Sequence, residues 1–286
     1  MTETLEIPEI AKDDRLLGKT AIVTGGGSDG PLAGSGAAIS ILFAAKGANI
    51  VIADRDTARG KNTAGIVERR GGRAIVVETD VTEPEACHAV AAAAMTEFGR
   101  LDILVNNAAI APNEKEHNDE LWKKVIDLDL RSAKLMSDAV VPHMTAARSG
   151  AIVNIASHAG LRAGGGIAYT AAKAGLIGLT KALAYEYGRA GIRANAVAPG
   201  HVHTPMGIGY TGWSEDINHA RRLRAEAGLL GTEGTGWDVA YAALFLASEE
   251  ARWITAVTIP VDAGTVEVMP LVMFPVMAAA EASARP

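Results

Sequence analysis

Short runs of apolar, often β-branched residues alternate along this chain with longer Ala-rich segments. Continuous apolar runs are typical of strands buried on both faces of a parallel sheet, and Ala-rich segments between them are typical of crossover helices. The pattern therefore predicts an α/β fold, a single-domain Rossmann-like doubly wound parallel sheet with helices on both faces. The predicted strands are TAIVTG, NIVIAD, RAIVVETD, LDILVNN, GAIVNIAS, IRANAVAPG and AVTIPVDAG.

Residues 1–265 are expected to form one dinucleotide-binding and catalytic domain, since no internal repeat or low-complexity linker divides them. Helix boundary signals support the alternation of strands and helices: Thr82-Glu83-Pro84 is typical of a helix start, and Gly99 is typical of a helix end. The alternation of apolar runs and Ala-rich segments is interrupted from about 201 to 235, which contains several glycines and the basic helical segment HARRLRAEAG. We expect this stretch to form a lobe that covers the substrate.

Composition and charge exclude several classes of partner. The 286 residues carry a net charge of −6 with scattered Lys and Arg, so nucleic acid is not an expected partner. No apolar run reaches the length of a membrane helix, so no membrane is expected either. The single cysteine, Cys87, excludes an internal disulfide, and residues 1–15 do not resemble a secretory signal. Both features favour a cytoplasmic protein.

A glycine-rich loop, TGGGSDGPLAGSG at 24–36, follows the first predicted strand and opens a helix. In such a turn, backbone N–H groups and the helix N-terminus can hold a pyrophosphate. Asp54 ends the second strand, where a carboxylate can bind ribose hydroxyls and repel the 2′-phosphate of NADP. NAD is therefore predicted, although Arg55 leaves NADP as the less favoured alternative.

Further motifs follow in order: NNAA at 106–109, Ser157, YTAAK at 169–173 and PGHVHTP at 199–205. Together with the glycine loop they resemble the short-chain dehydrogenase/reductase family over roughly residues 15–265. The resemblance implies an enzyme that interconverts a secondary alcohol and a ketone by hydride transfer. It also implies NAD or NADP as cofactor, and an assembly that is commonly a homotetramer.

The spacing of three residues in this set suits proton transfer. Tyr169 and Lys173 are four apart and therefore share a helix face, where the ammonium favours the phenolate. A phenol tuned in this way can take or give the alcohol proton. Ser157, at the end of a predicted strand, would hydrogen-bond the same substrate oxygen. A tyrosine and a lysine on a solvated helix face are the simpler alternative.

The resemblance also implies cofactor contacts along the whole chain. They run from the glycine loop, through the adenosine side, to the nicotinamide ribose and carboxamide. The residues so implied, together with those argued above, are Gly25, Gly34, Ser35 and Gly36 at the phosphates, Asp54 and Arg55 at the ribose, Asp80, Val81, Asn107 and Ala108 at the adenosine, and Tyr169, Lys173, Pro199, Gly200, Val202 and Thr204 at the nicotinamide end.

Two features depart from the family pattern. The glycine loop holds five residues more than TGxxxGxG allows, and DGPLA at 29–33 is the natural insertion. We expect it to bulge outward, although it could equally lie across the adenosine entrance. Asp129 stands where the family has an asparagine of the proton relay, so we assign it to the catalytic set. It would add a negative charge near Lys173; the alternative is a tolerated polar residue.

Three histidines are expected to border the substrate region, namely His158, His201 and His203. Met206 and Trp213 are expected to form an apolar roof over the substrate, against the alternative that Trp213 only anchors its lobe. The His-x-His spacing lacks the context of a zinc site, so no metal is predicted.

The tail from 266 to 286 is too apolar to stay in water, and its prolines prevent a long helix. It is expected to pack on a neighbouring subunit of a homotetramer or homodimer, with membrane association as the rival interpretation.

The leading hypothesis is an NAD-dependent oxidoreductase acting on a hydrophobic cyclic or aromatic-type secondary alcohol, with Tyr169 as general acid/base. Two alternatives remain: an NADPH-dependent ketone or 3-oxoacyl reductase, and a nucleotide-binding protein without turnover.

Overall fold

The computed structural model of the protein describes residues 5–112, 118–209 and 216–268. The strands are β1 (Thr20–Thr24), β2 (Asn49–Asp54), β3 (Arg73–Glu78), β4 (Ile103–Asn106), β5 (Gly150–Ile155), β6 (Ile192–Pro199), β7 (Val202–His203), β8 (Gly234–Thr235) and β9 (Thr258–Val261). The main sheet is parallel throughout, with the strand order β3-β2-β1-β4-β5-β6-β9. All seven predicted strands are confirmed within this sheet.

Helices cover both faces of the sheet. They are α1 (Ser35–Ala45), α2 (Thr57–Arg69), α3 (Pro84–Phe98), α4 (Asp119–Ile126), α5 (Ser132–Ala147), α6 (Ile167–Tyr187), α7 (Pro205–Gly209), α8 (Ile217–Glu226) and α9 (Gly236–Ala247). One apolar core joins the sheet to α1, α2 and α9, and a second joins it to α3, α5 and α6. The doubly wound Rossmann-like prediction is therefore confirmed.

The strand order reverses between β1 and β4, and this reversal opens a crevice at their carboxyl ends. The chain runs outward from β1 to β3 and then returns to pair β4 with the other edge of β1. Thr24 Oγ1 accepts hydrogen bonds from the backbone N–H groups of Asn107 and Ala108, at 2.9 and 3.0 Å. Ligands of open α/β sheets bind at such a crevice, which is where the glycine loop begins.

The stretch from 201 to 235 lies outside the main sheet, and its predicted role in covering the substrate stays a prediction. Its short strands β7 and β8 pair with each other, and the basic segment forms α8. Trp213 and the tail beyond Val268 lie outside the described residues, so their predicted roles stay predictions. Among the described helices, none has the length and apolarity needed to cross a bilayer.

Candidate active site

A single cavity of about 880 Å³ lies along the carboxyl edge of the main sheet. Its walls include the two ends of the glycine loop, the end of β2, the turn after β4 and the start of α6. Every residue predicted for the cofactor lines this one cavity, as do Ser157, His158, His201 and Met206. The fold thus brings together residues that the sequence scatters from 25 to 206.

The glycine turn closes tightly and leaves the start of α1 open. Gly25 has a φ of +61°, and a Cβ placed on Gly36 would lie only 2.2 Å from the Gly25 carbonyl oxygen. Asn107 Nδ2 fastens the same turn by donating to the carbonyls of Thr24 and Gly25, both at 3.0 Å. A Cβ on Gly34 would meet no atom within 4 Å. This cradle fits a pyrophosphate, because backbone N–H groups at a helix N-terminus can approach it closely.

The insertion at 29–33 does not fill the cradle. Asp29 borders the cavity, whereas residues 30–33 are not part of its wall. Pro31 accepts a 2.7 Å backbone hydrogen bond from Glu6, and Ala33 is buried in the core. Gly236 at the start of α9 packs closely on this segment, since its Cβ would lie 2.9 Å from the Ala33 carbonyl oxygen. The inserted residues therefore pack against the N-terminal segment and α9, away from the phosphate cradle.

Asp54 is fixed on the cavity wall by the backbone around it. Its Oδ2 accepts the N–H of Gly27 at 2.8 Å, and its Oδ1 accepts the N–H of Asp56 at 3.0 Å. Arg55 and Arg59 share this wall, so both charge signs lie near the predicted ribose site. Ser28 also lines it, and its buried Oγ has no partner in the described structure.

Tyr169 and Lys173 occupy successive turns of α6, as their spacing predicts. Lys173 Nζ lies 5.4 Å from the centroid of the Tyr169 ring. Gly165, just before α6, lets the ring lie against the backbone, because a Cβ there would be 2.7 Å from Tyr169 Cδ1. Ser157 follows β5, and its Oγ accepts the N–H of Ala159 at 3.1 Å. The Ser157 hydroxyl hydrogen can therefore be donated to a substrate oxygen.

Asp129 is a buried neighbour of Lys173 rather than a solvated helix residue. Lys173 Nζ lies 3.4 Å from Asp129 Oδ2 and 3.2 Å from the carbonyl oxygen of Ile155. Asp129 Oδ1 accepts the N–H of Ile110 at 2.9 Å. The residue sits in a π-helical stretch, Asp127–Arg131, between α4 and α5. Burial raises the pKa of Asp129, and the Lys173 charge and the Ile110 hydrogen bond oppose this effect.

The raised pKa of Asp129 predicts a pH-dependent effect of Asp129→Asn on stability. The stability that the protonated carboxyl provides is complete below its unfolded value of 3.8, and it is lost as pH rises through the raised folded value. We therefore expect the thermal midpoint of the variant to gain on that of the wild type as pH rises above 3.8 and through the raised folded value. Asp138→Asn removes a half-buried carboxylate of α5 that is paired with Lys134, and it is the matched control. An equal drift in both variants would contradict the prediction.

Two of the three predicted histidines lie on the cavity, and the third does not. The rings of His158 and His201 meet edge to face with centroids 4.5 Å apart. Burial first, and then His158 and Arg224, lower the pKa of His201 to about 4. His203 is absent from the wall: it follows Val202 in β7 and so points to the opposite face, where its Nδ1 lies 3.9 Å from Glu233 Oε1.

Sequence reasoning missed several residues that support or line the site. Beneath it, Asn106 Nδ2 donates to Asn154 Oδ1 at 2.8 Å, and Asn154 Nδ2 donates to Thr180 Oγ1 at 2.8 Å. This buried chain joins β4, β5 and α6, and the first Asn of NNAA was its available signal. Arg224 lines the cavity with only 7% of its surface exposed, although its segment read simply as a basic helix.

Comparison with known proteins gives concordant matches. The family model described as Enoyl-(Acyl carrier protein) reductase matches residues 30–266. A cis-4-hydroxycyclohexanecarboxylate dehydrogenase of Sinomonas cyclohexanicum is 39% identical over 86% of this chain and 96% of its own length. A 3-oxoacyl-(acyl-carrier-protein) reductase of Chlamydia muridarum is 38% identical over 87% of this chain and 98% of its own. A Burkholderia xenovorans crystal structure, titled as a short-chain dehydrogenase/reductase, has 38% identity and a TM-score of 0.84, covering 90% of this chain and 99% of that one.

Proposed function

Since the chain belongs to the short-chain dehydrogenase/reductase family, an NAD(P)-dependent group of enzymes acting on CH–OH groups, we propose that it is an NAD-dependent oxidoreductase of cyclic secondary alcohols and ketones. One observation carries the proposal. The side chains of Ser157, Tyr169 and Lys173 line the same cavity as the glycine cradle and Asp54. A proton-transfer group and a dinucleotide cradle in one cavity are what hydride transfer from an alcohol requires.

The residues of the chain supply the proton chemistry. NAD, when bound, supplies the acceptor for the hydride that leaves the alcohol carbon. Tyr169 takes the hydroxyl proton as general base in oxidation and returns it as general acid in reduction. Lys173, buried one turn away, stabilises the phenolate, and Ser157 donates to the substrate oxygen as it becomes a carbonyl. Asp129 balances the buried charge of Lys173 and holds it beside Tyr169.

The preference for NAD follows from Asp54. Backbone N–H groups fix this carboxylate at the end of β2, where it can accept hydrogen bonds from two vicinal ribose hydroxyls. A 2′-phosphate at that position would face a like charge. Arg55 and Arg59 on the same wall favour the second candidate, an NADPH-dependent ketone or 3-oxoacyl reductase. A nucleotide-binding protein without turnover is the third, and the complete set of Ser157, Tyr169 and Lys173 weighs against it.

The cavity beside Tyr169 supports an apolar cyclic substrate. Its wall includes the apolar side chains of Ile110, Leu121 and Met206, and the first two pack with Tyr169 in one apolar cluster. Similarity to an enzyme named for a hydroxylated cyclohexane ring supports the same class. We place His158 and His201 at the polar side of this pocket as neutral hydrogen-bonding groups, since burial lowers the pKa of each.

The cofactor proposal is tested by titrating the protein with NADH and NADPH while following nicotinamide fluorescence. We expect NADH to bind at least about tenfold more tightly, because a like-charge contact in a partly buried site costs more than about 1.4 kcal/mol. Asp54→Asn should erase most of this difference, since the amide can still accept the Gly27 hydrogen bond but carries no charge. Tighter binding of NADPH by the wild type would reject NAD as the cofactor.

Asp56→Asn is the matched control for that titration. Asp56 lines the same wall, and its Oδ1 caps α2 by accepting from Ala58 and Arg59, which an asparagine also does. The control therefore removes an equal charge two residues away without removing the ribose ligand. An equal change of preference in both variants would show that net charge, and not Asp54, selects the cofactor.

We also propose a cytoplasmic homotetramer or homodimer. Large apolar side chains remain exposed on the described surface, among them Tyr185 at 87% and Trp253 at 91%. Burial of such side chains between copies is the usual outcome in symmetric assemblies. Sedimentation of the purified protein as a monomer would contradict the proposed assembly.

A further inference from the structure

Arg224 brings a buried cation to the wall of the cavity. It projects from α8 with 4% of its side chain exposed, and it lines the cavity together with His201 and Met206. Arg224 Nη1 donates to the carbonyl oxygen of Gly207 at 3.1 Å, and Nη2 donates to Glu233 Oε1 at 3.0 Å. The guanidinium is therefore held in a fixed orientation at the border of the substrate region.

Within the part of the chain that the structure describes, the one carboxylate in contact with this guanidinium does not balance the positive charge around it. Glu233 is shared, because Arg221 Nε also donates to it at 2.8 Å. The cluster of one carboxylate and two guanidinium groups therefore keeps one net positive charge. His203 adds none at neutral pH, since burial lowers its pKa. Asp262, beside His158, is bonded instead to the backbone N–H groups of Gly264 and Val266, at 3.0 and 2.9 Å.

The hydrogen-bonding capacity of Arg224 is also incompletely used. Its buried Nε has no partner in the described part of the chain, and Nη1 and Nη2 each keep a second hydrogen. A role as a clamp between α7, α8 and the turn before β8 explains the two bonds that exist. It does not explain why a cation with free donors borders the cavity, since an unsatisfied buried donor is costly.

We propose that Arg224 binds a carboxylate carried by the substrate, so that the enzyme acts on hydroxycarboxylates and oxocarboxylates of a cyclic, otherwise apolar skeleton. The proposal rests on the proposed function and adds the class of substrate to it. A guanidinium is suited to this task because its planar N–H groups match the geometry of a carboxylate. The apolar wall would hold the ring, and Arg224 would fix the acid group so that the hydroxyl meets Tyr169.

The test compares two probes of nearly equal shape: a cyclohexanol bearing a ring carboxylate, and its primary carboxamide, in which an uncharged N–H₂ donor replaces one carboxylate oxygen. With wild-type enzyme and NAD, we expect kcat/KM for the carboxylate to exceed that for the carboxamide by about 10- to 100-fold, the range of a charged hydrogen bond. Arg224→Gln should remove most of this ratio by weakening the carboxylate alone, and Arg224→Lys should restore part of it. Binding of the carboxylate to the enzyme–NADH complex, followed by fluorescence or calorimetry, should fall in parallel.

Arg222→Gln is the matched control, because it removes an exposed cation of the same helix that lies outside the cavity wall and has no described contact with Glu233. It should change the ratio by less than about threefold, the usual spread for a surface charge. Equal use of both probes by the wild type would overturn the proposal without any variant, even if Arg224→Gln failed to fold. An unchanged ratio in Arg224→Gln would overturn the proposal in favour of the clamp, and an equal loss of the ratio in both arginine variants would overturn it in favour of the overall charge of the helix. Oxidation of neither probe, nor of any neutral cyclic alcohol, would instead count against the proposed function itself.

Discussion

Tyr169→Phe is expected to lower kcat by about 10²–10⁴-fold for any alcohol that the enzyme oxidises, because general acid–base catalysis contributes this much. The substitution removes only the hydroxyl, and the ring would keep its contact with Gly165 and its place beside Lys173. NADH affinity and the thermal midpoint should therefore stay close to those of the wild type. Initial-rate kinetics with NAD, together with a fluorescence titration, separate the two effects.

Tyr185→Phe is the control for this experiment. Tyr185 lies on the same helix, is 87% exposed and is not part of the cavity wall. Its loss of a hydroxyl should leave kcat unchanged. Retention of activity by Tyr169→Phe would reject the assignment of Tyr169 as acid/base and would move the non-catalytic alternative to the front. Loss of NADH binding would show instead that the phenol supports the cofactor site.

The strands were the most predictable part of the fold. A strand such as Ile192–Pro199 in a parallel sheet is buried on both faces, so its apolar run needs no knowledge of its neighbours to be recognised. Helix ends were also predictable where one residue fixes the backbone, as at Gly99, which takes a φ of +71° beyond α3. The strand order was not predicted, because it depends on long-range pairing that no local signal along the chain encodes.

Sequence spacing alone predicted some residues of the candidate site but not the contacts between them. The spacing of Tyr169 and Lys173 predicts that their side chains share a helix face, because one helix turn separates them. The contact of Lys173 with Asp129 joins two helical segments that lie far apart in sequence, and it was expected only through the resemblance to the family, because no pattern along the chain encodes that approach. His203 was expected to border the substrate region, but it is not part of the cavity wall. It follows Val202 on a strand, where successive side chains point to opposite faces.

The course of the insertion in the glycine loop also depends on packing against segments that are distant in sequence. Local reasoning kept both ends of the cradle and expected residues 29–33 to bulge outward, with a course across the adenosine entrance as the alternative. Their course depends on the N-terminal segment and on α9, which meet the loop through Glu6 and Gly236. These contacts are made by backbone atoms. Because backbone contacts constrain side-chain identity only weakly, they are hard to predict from the sequence.

Gly36→Ala is expected to abolish NADH binding and to lower the free energy of unfolding by about 2–4 kcal/mol. The added methyl would lie 2.2 Å from the Gly25 carbonyl oxygen and 2.5 Å from Asn107 Nδ2. Neither neighbour can yield freely, because Asn107 is itself bonded to the carbonyls of Thr24 and Gly25. The turn must therefore open, and the N–H groups that it directs at a phosphate would lose their alignment. Urea unfolding and an NADH titration measure the two losses.

Gly34→Ala separates the loss of binding from the loss of stability. Gly34 precedes α1 with φ −70° and ψ 159°, which an alanine adopts without strain, and its Cβ would meet no protein atom within 4 Å. Its free energy of unfolding should therefore stay within about 0.5 kcal/mol of the wild type. NADH affinity should nevertheless fall, because Gly34 lines the cavity where a phosphate must approach the backbone closely. Wild-type affinity in Gly34→Ala would place the pyrophosphate elsewhere along the loop, and wild-type affinity in Gly36→Ala would refute the cradle altogether.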